Sequence, residues 1–211
     1  MSLEDSVFDL LDAHVKRCVE ESVPEPETVL ARTYRQFGNA LKQRVGTSSG
    51  FTGLSEYLFF RYILRYIEER THASFTLDTS KSITLFRSSS LLLTHDANIA
   101  RLIDVEQQRP DIAVFAPRGA GGYSLLAAFE LKIYFNSPHV LSEALDKFST
   151  LAQHTDALLF LILLGGMQYK RELDKFCRTH EGRAFVICDS ALAYEHRLGL
   201  NEAIGRVLSR M

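Results

Sequence analysis

Arg109-Pro110-Asp111-Ile112-Ala113-Val114-Phe115 and Leu125-Leu126-Ala127-Ala128-Phe129-Glu130-Leu131-Lys132-Ile133-Tyr134-Phe135 decide the architecture. Both are apolar runs of strand length, and the connection Ala116 to Tyr123 carries Gly119, Gly121 and Gly122, the composition of a hairpin loop. Folding the pair about Ala120 sets Asp111 roughly opposite Phe129 and so brings it near Glu130. Glu130 and Lys132 lie two residues apart and share one face of their strand, while Phe129, Leu131 and Ile133 line the other. Two acids and a lysine therefore converge on one patch of an otherwise apolar sheet.

Charges in such strands are costly unless they are paired or hold a metal. Neighbouring carboxylates raise each other's pKa unless a cation lies between them. Oxygen ligands of this kind suit Mg²⁺ or Mn²⁺. A lysine beside a hydrated metal orients water or stabilises developing negative charge. The plainer reading is an ion pair, Lys132 with Glu130 or Asp111, that fastens the hairpin.

Upstream, three helices are expected. The first carries the stripe Val7, Leu10, Leu11, His14, Val15, Cys18 and Val19; His14 reads as a packed core histidine. Pro24 and Pro26 separate it from a second helix with Val29, Leu30, Thr33, Tyr34, Phe37, Ala40 and Leu41 inward. Ser2 to Asp5 has the form of a capping box. The third, Leu54 to Arg70, is apolar on most sides. Glu56 is in phase with Phe60, Ile63 and Ile67, so it points inward, while Arg61, Arg65 and Glu68 point out. An inward carboxylate needs a partner or the rim of a cleft.

Beyond the third helix, Gly, Ser and Thr-rich connectors lead to strands at Ser82–Phe86, Asp111–Phe115, Leu125–Phe135, Leu158–Leu164 and Ala184–Cys188. Helices with the stripe Leu141, Ala144, Leu145, Phe148 and Leu151, over Tyr169–Thr179, and from an N-cap at Asn201 complete the chain. The order is helices, hairpin, then β-α-β-α-β, which predicts an α/β fold with a mixed central sheet flanked by helices. The whole chain reads as one domain, with an N-terminal helical extension over 1–50 and a core over 51–211.

On these residues the sequence resembles the PD-(D/E)xK nuclease superfamily, the restriction-endonuclease-like fold. Pro110-Asp111 matches the first half of its motif and Glu130-Leu131-Lys132 the second. The resemblance covers about residues 51–190. It implies that Asp111 and Glu130 hold a divalent metal, Mg²⁺ or Mn²⁺, helped by the Leu131 carbonyl. It also implies that Lys132 assists an attacking water, that Glu56 is the upstream helical acid serving a second metal or its water, and that the substrate is a phosphodiester of DNA. Polar residues on the following helix, Asp146, Lys147 and Gln153, stand where members of the superfamily often carry them. A non-catalytic nucleic-acid-binding or protein-binding module of the same fold is the alternative.

Composition sets the remaining bounds. The 211 residues are 46% hydrophobic and 24% charged with a net charge of -2, which suits a globular core and excludes disorder as the main state. No run reaches membrane-span length, and the first residues lack a basic-then-apolar signal pattern, so the chain reads as soluble and cytoplasmic. Cys18, Cys177 and Cys188 form no CxxC pair and read as buried thiols of a reducing compartment. Charge is segregated: residues 1–27 balance at -6 and residues 28–67 at +5, either a phosphate-facing surface or a helix face that pairs with the acidic helix before it. Gly46-Thr47-Ser48-Ser49-Gly50 has the GxSxG spacing of a serine hydrolase, but a helix end precedes it, so it reads as a loop. His139 and His154 flank the helix after the motif strand, and Tyr134 shares the face of Glu130 and Lys132. Oligomeric state is open; nucleases this small often dimerise to cut both strands.

Overall fold

A β-bulge sets the register of the decisive hairpin. In the computed structural model, β4 (Ile112–Pro117) and β5 (Tyr123–Lys132) pair antiparallel, with Gly121 in the left-handed region at φ 83° in the connection. Near the turn Phe115 pairs with Leu125; past it Val114 pairs with Ala127, so Leu126 is the extra residue. Without the bulge Asp111 would oppose Phe129, whose side chain lies on the other face. With it, the Ile112–Phe129 pair continues to set Asp111 across from Glu130.

The structure describes residues 3–45, 52–78, 83, 85–132, 138–165, 169–189 and 194–211. Within them α1 (Leu3–Glu20), α2 (Pro26–Val45) and α3 (Thr52–Thr71) precede the short strands β1 (Thr76–Asp78), β2 (Leu85–Arg87) and β3 (Leu92–His95). After the hairpin come α4 (Pro138–His154), β6 (Leu158–Leu163), α5 (Lys170–Thr179), β7 (Ala184–Cys188) and α6 (Leu200–Leu208). The seven strands lie in chain order in one mixed sheet, β1 to β5 antiparallel and β5 to β7 parallel. The fold is α/β, a mixed sheet flanked by helices.

Each face of the sheet buries its own core. On one, Ile112, Val114, Phe129, Leu131, Phe160 and Ile162 pack against α1, α2, α3 and α6. The register partners Phe129, Phe160 and Phe185 stack there at centroid distances of 4.7 and 5.8 Å. The first two helices, read above as an extension, share this core with α3. On the other face, Ala113, Phe115, Ala128, Leu159, Leu161 and Leu163 pack against Leu141, Ala144, Phe148 and Leu151 of α4 and Leu173, Phe176 and Cys177 of α5. All six residues of β6 are buried, as the apolar run requires.

Several local expectations change. β1 and β3 lie in the stretch read as connectors. The strand expected over Ser82–Phe86 is Leu85–Arg87, with Ser82 outside the described residues. β5 is described to Lys132, and Ile133, Tyr134 and Phe135 lie outside. So do Gly46-Thr47-Ser48-Ser49-Gly50, Ser2, and the side chains of Ala40 and Leu41. α6 is capped at Gly199, not Asn201. Its first N–H, on Leu200, donates to the buried Glu27 carboxylate, which also binds Arg197. Asn201 instead accepts from the Tyr62 hydroxyl and donates to the Val23 carbonyl. Arg61 does not face solvent: its guanidinium holds Asp12 of α1 through two bonds of 2.9 and 2.8 Å, an instance of basic and acidic helices pairing. His14 bonds Thr33 at 2.9 Å inside the helical layer. Among the described residues no helix is long and apolar enough to cross a membrane.

Candidate active site

The β4 ladder stops at Ile112 while β5 continues to Lys132, alongside β6. The last residues of β5 therefore have a strand on one side only, at the carboxyl end of the parallel strands, where open α/β sheets hold their clefts. Asp111 sits just before β4 and closes that gap: the Leu131 N–H donates to its Oδ2 at 2.6 Å. The Leu131 amide is thus fastened to Asp111, and its side chain is buried in the opposite core.

Glu130 is 2% exposed. Its Oε1 accepts from Lys132 Nζ at 2.8 Å and from Lys147 Nζ of α4 at 2.7 Å. Lys147 also donates to the Arg109 carbonyl at 3.0 Å, tying α4 to the segment before Asp111. Glu130 Oε2 is buried and has no hydrogen-bond partner among the described residues. Asp111, Glu130 and Lys132 are thus brought together, with Lys147 added.

The electrostatics follow from this packing. Burial, and next the Glu130 charge, push the Asp111 carboxyl up to about 7 against the opposing Leu131 N–H and Lys132. Burial alone would lower the Lys132 ammonium, but Glu130 and then Asp111 outweigh it and hold it above the ordinary lysine value. Lys132 is therefore a cation at neutral pH.

Glu56 reaches the sheet end from α3, on the other face. Its carboxyl lies above the ordinary value, through burial first and then the Asp96 charge, with Lys132, Glu130 and Lys147 also in range. The side chain its Oε2 approaches is the His95 imidazole of β3, with Nε2 at 4.0 Å. Burial keeps the His95 imidazole below its usual pKa. Asp96 follows with φ 45°, donates its N–H to the Asp111 carbonyl at 2.8 Å and pairs with Arg109. His95 and Asp96 were missed with β3.

Lys147 carried a signal. Ala144, Phe148 and Leu151 form the buried stripe of α4, and Lys147 lies about 60° from Ala144 around the helix, at the stripe's edge. Asp146 and Gln153 are exposed, as is His154, whose Nδ1 lies 2.9 Å from the Thr150 carbonyl. His139 is exposed at the start of α4, and Tyr134 lies outside the described residues.

Among the described residues no three His, Cys, Asp or Glu side chains group closely enough to hold an ion between them. The carboxylate pair Asp111 and Glu130, with a buried orphan oxygen, does fit an ion that keeps several of its waters, as Mg²⁺ does. No family model, curated protein or solved structure matches the chain, so this geometry carries the functional reading.

Proposed function

We propose that the protein is a metal-dependent nuclease of the PD-(D/E)xK type, with a restriction-endonuclease-like core, that hydrolyses phosphodiester bonds of DNA. The observation that carries the reading is the buried Glu130 Oε2, without a hydrogen-bond partner among the described residues, on a carboxylate whose charge acts on Asp111, with the charged Lys132 on the same strand face. A buried carboxylate oxygen left without a partner is destabilising, and a further cation would satisfy it. The element order supports the fold assignment: α3, the antiparallel β3, β4 and β5, then α4 and the parallel β6.

Asp111 and Glu130 would hold Mg²⁺ or Mn²⁺, with the Leu131 carbonyl between them and Glu56 serving a second ion or its water. When bound, the metal neutralises the phosphate and makes water more acidic. Asp111 is fixed by the Leu131 N–H, so its other oxygen keeps a defined direction. Lys132, being protonated, does not take the proton of water. It donates hydrogen bonds that orient the nucleophile and stabilise charge growing on the phosphoryl oxygens.

One observation favours a second reading. Two ammonium groups already share Glu130 Oε1, so the site is partly neutralised without a metal, as in a binding module that keeps the fold. Incubating the protein with plasmid, linear and single-stranded DNA in Mg²⁺, Mn²⁺ or EDTA decides. The nuclease reading expects cleavage that EDTA abolishes; DNA retention without cleavage in either metal supports the binding module.

A further inference from the structure

A cleft of about 320 Å³ opens beside Asp111, lined by His95, Asp96, Asn98, Arg101 and Arg109, with Ile83 and Ala97 as its apolar part. The Asp96 N–H donates to the Asp111 carbonyl at 2.8 Å and the Ile99 N–H to the Gln108 carbonyl at 2.9 Å, so the segments that wall the cleft are fastened to each other and to the strand end. Asn98 caps the short turn Ile99–Arg101: its side-chain oxygen accepts from the Ala100 N–H at 3.1 Å. We propose that this cleft reads the acceptor edge of a guanine, O6 and N7, beside the cleaved phosphodiester. The inference deepens the nuclease reading, to whose DNA substrate it adds a base preference, and rests on it.

The lining is rich in donors. Arg101 and Arg109 are exposed, and a guanidinium can only donate. The Asn98 oxygen is engaged by its cap, so its NH₂ group is what remains to meet a ligand. The Asp96 carboxylate already holds Arg109, with Oδ1 2.6 Å from Nε and Oδ2 2.8 Å from Nη2. His95 Nε2 is buried, out of a ligand's reach. Among the major-groove edges, guanine offers two acceptors and no donor, adenine and cytosine each present a donor, and thymine has one acceptor beside a methyl group. These donors therefore select guanine. A backbone phosphate is also an acceptor, but the Asp96 carboxylate repels it, and it leaves Ile83 and Ala97 uncovered where the plane of a base packs on them.

Competition binding to the full-length protein in EDTA tests this, with a labelled duplex displaced by unlabelled hairpins of alternating dA·dT, dG·dC or dI·dC sequence. Inosine keeps the O6 and N7 of guanine while its pair with cytosine matches A·T in the minor groove. The dG·dC and dI·dC hairpins are expected to compete about equally, and at least about fivefold better than dA·dT. A 7-deazaguanine hairpin, which lacks the N7 acceptor, should lose most of that advantage. Asn98→Asp keeps the capping oxygen and replaces the NH₂ donor; it and Arg101→Ala are each expected to bring the preference below about twofold. Equal competition by the three hairpins, or the full preference retained in either variant, would overturn the site, and an affinity loss equal on every sequence would mark a phosphate contact in its place. A guanine preference in the wild type without cleavage in Mg²⁺ or Mn²⁺ would sink the nuclease reading and leave this site standing. Cleavage with no base preference would do the reverse.

Discussion

Lys147→Ala removes one of the two ammonium groups on Glu130 and leaves the other. Glu130 is 2% exposed, and Lys147 Nζ lies 2.7 Å from Oε1 with its own side chain only 16% exposed. A charge-assisted hydrogen bond in such a place contributes about 1.5–3 kcal/mol. A buried charge stripped of its whole partner costs more, about 3–5 kcal/mol. Because Lys132 remains at 2.8 Å, the single substitution belongs to the lower range, near 2 kcal/mol. For a chain of this length that is a fall in Tm of about 4–8 °C. Lys132→Ala combined with Lys147→Ala leaves Glu130 without a cation and should reach about 3–5 kcal/mol. Urea denaturation in EDTA measures these values, and a double-mutant cycle with Glu130→Gln isolates the pair. In the Glu130→Gln background the cost of Lys147→Ala should drop below about 1 kcal/mol, a neutral hydrogen bond's worth. Equal costs in the two backgrounds would refute the claim that Lys147 acts on the Glu130 charge.

Other consequences can be checked on the same protein. In EDTA the stability contributed by Asp111 is fully present below its unfolded value near 3.8 and lost as pH rises through about 7, because its folded pKa is raised. Urea midpoints of the wild type should therefore fall relative to Asp111→Asn between pH 5 and 8, and a constant difference would exclude the raised carboxyl. Glu27→Ala should cost about 3 kcal/mol by removing the Leu200 cap and the Arg197 pair together, with Glu27→Gln much milder; urea unfolding that finds Glu27→Ala as stable as the wild type would show that neither bond matters. Cys18, Cys177 and Cys188 are buried, and burial pushes the thiols of Cys177 and Cys188 up to about 11. Native protein at pH 8 should leave all three unmodified by a disulfide reagent while urea-unfolded protein reacts fully, and rapid native labelling would contradict the packing.

The elements legible in the sequence were those whose pattern is local. The glycine-rich connection and the two apolar runs gave the β4–β5 hairpin, and the unbroken apolar stretch from Ala157 gave β6. β3 escaped because Leu92, Leu93 and Thr94 are all buried, so no alternation marks it, and serines precede it. β1 is three residues long and largely exposed, below what periodicity resolves. The bulge at Leu126 has no compositional mark, yet it sets Asp111 opposite Glu130 rather than Phe129. The Glu130–Lys132 pairing followed from a two-residue spacing, but the bond from Lys147 depends on how α4 lies across β5, a tertiary relation. The same holds for Glu56, whose inward phase was legible while its neighbour, on the missed β3, was not.

Cleavage of supercoiled plasmid in Mg²⁺ by wild-type and Lys132→Ala protein, each confirmed folded and each titrated with Mn²⁺, tests the central claim most directly. The proposed mechanism expects wild-type cleavage that EDTA abolishes. It expects the variant to bind Mn²⁺ at least as tightly, since a nearby positive charge is gone, and to cut about a hundredfold more slowly or less. A folded Lys132→Ala protein that cuts at the wild-type rate, or a wild-type protein that binds Mn²⁺ and leaves every DNA intact, would contradict it.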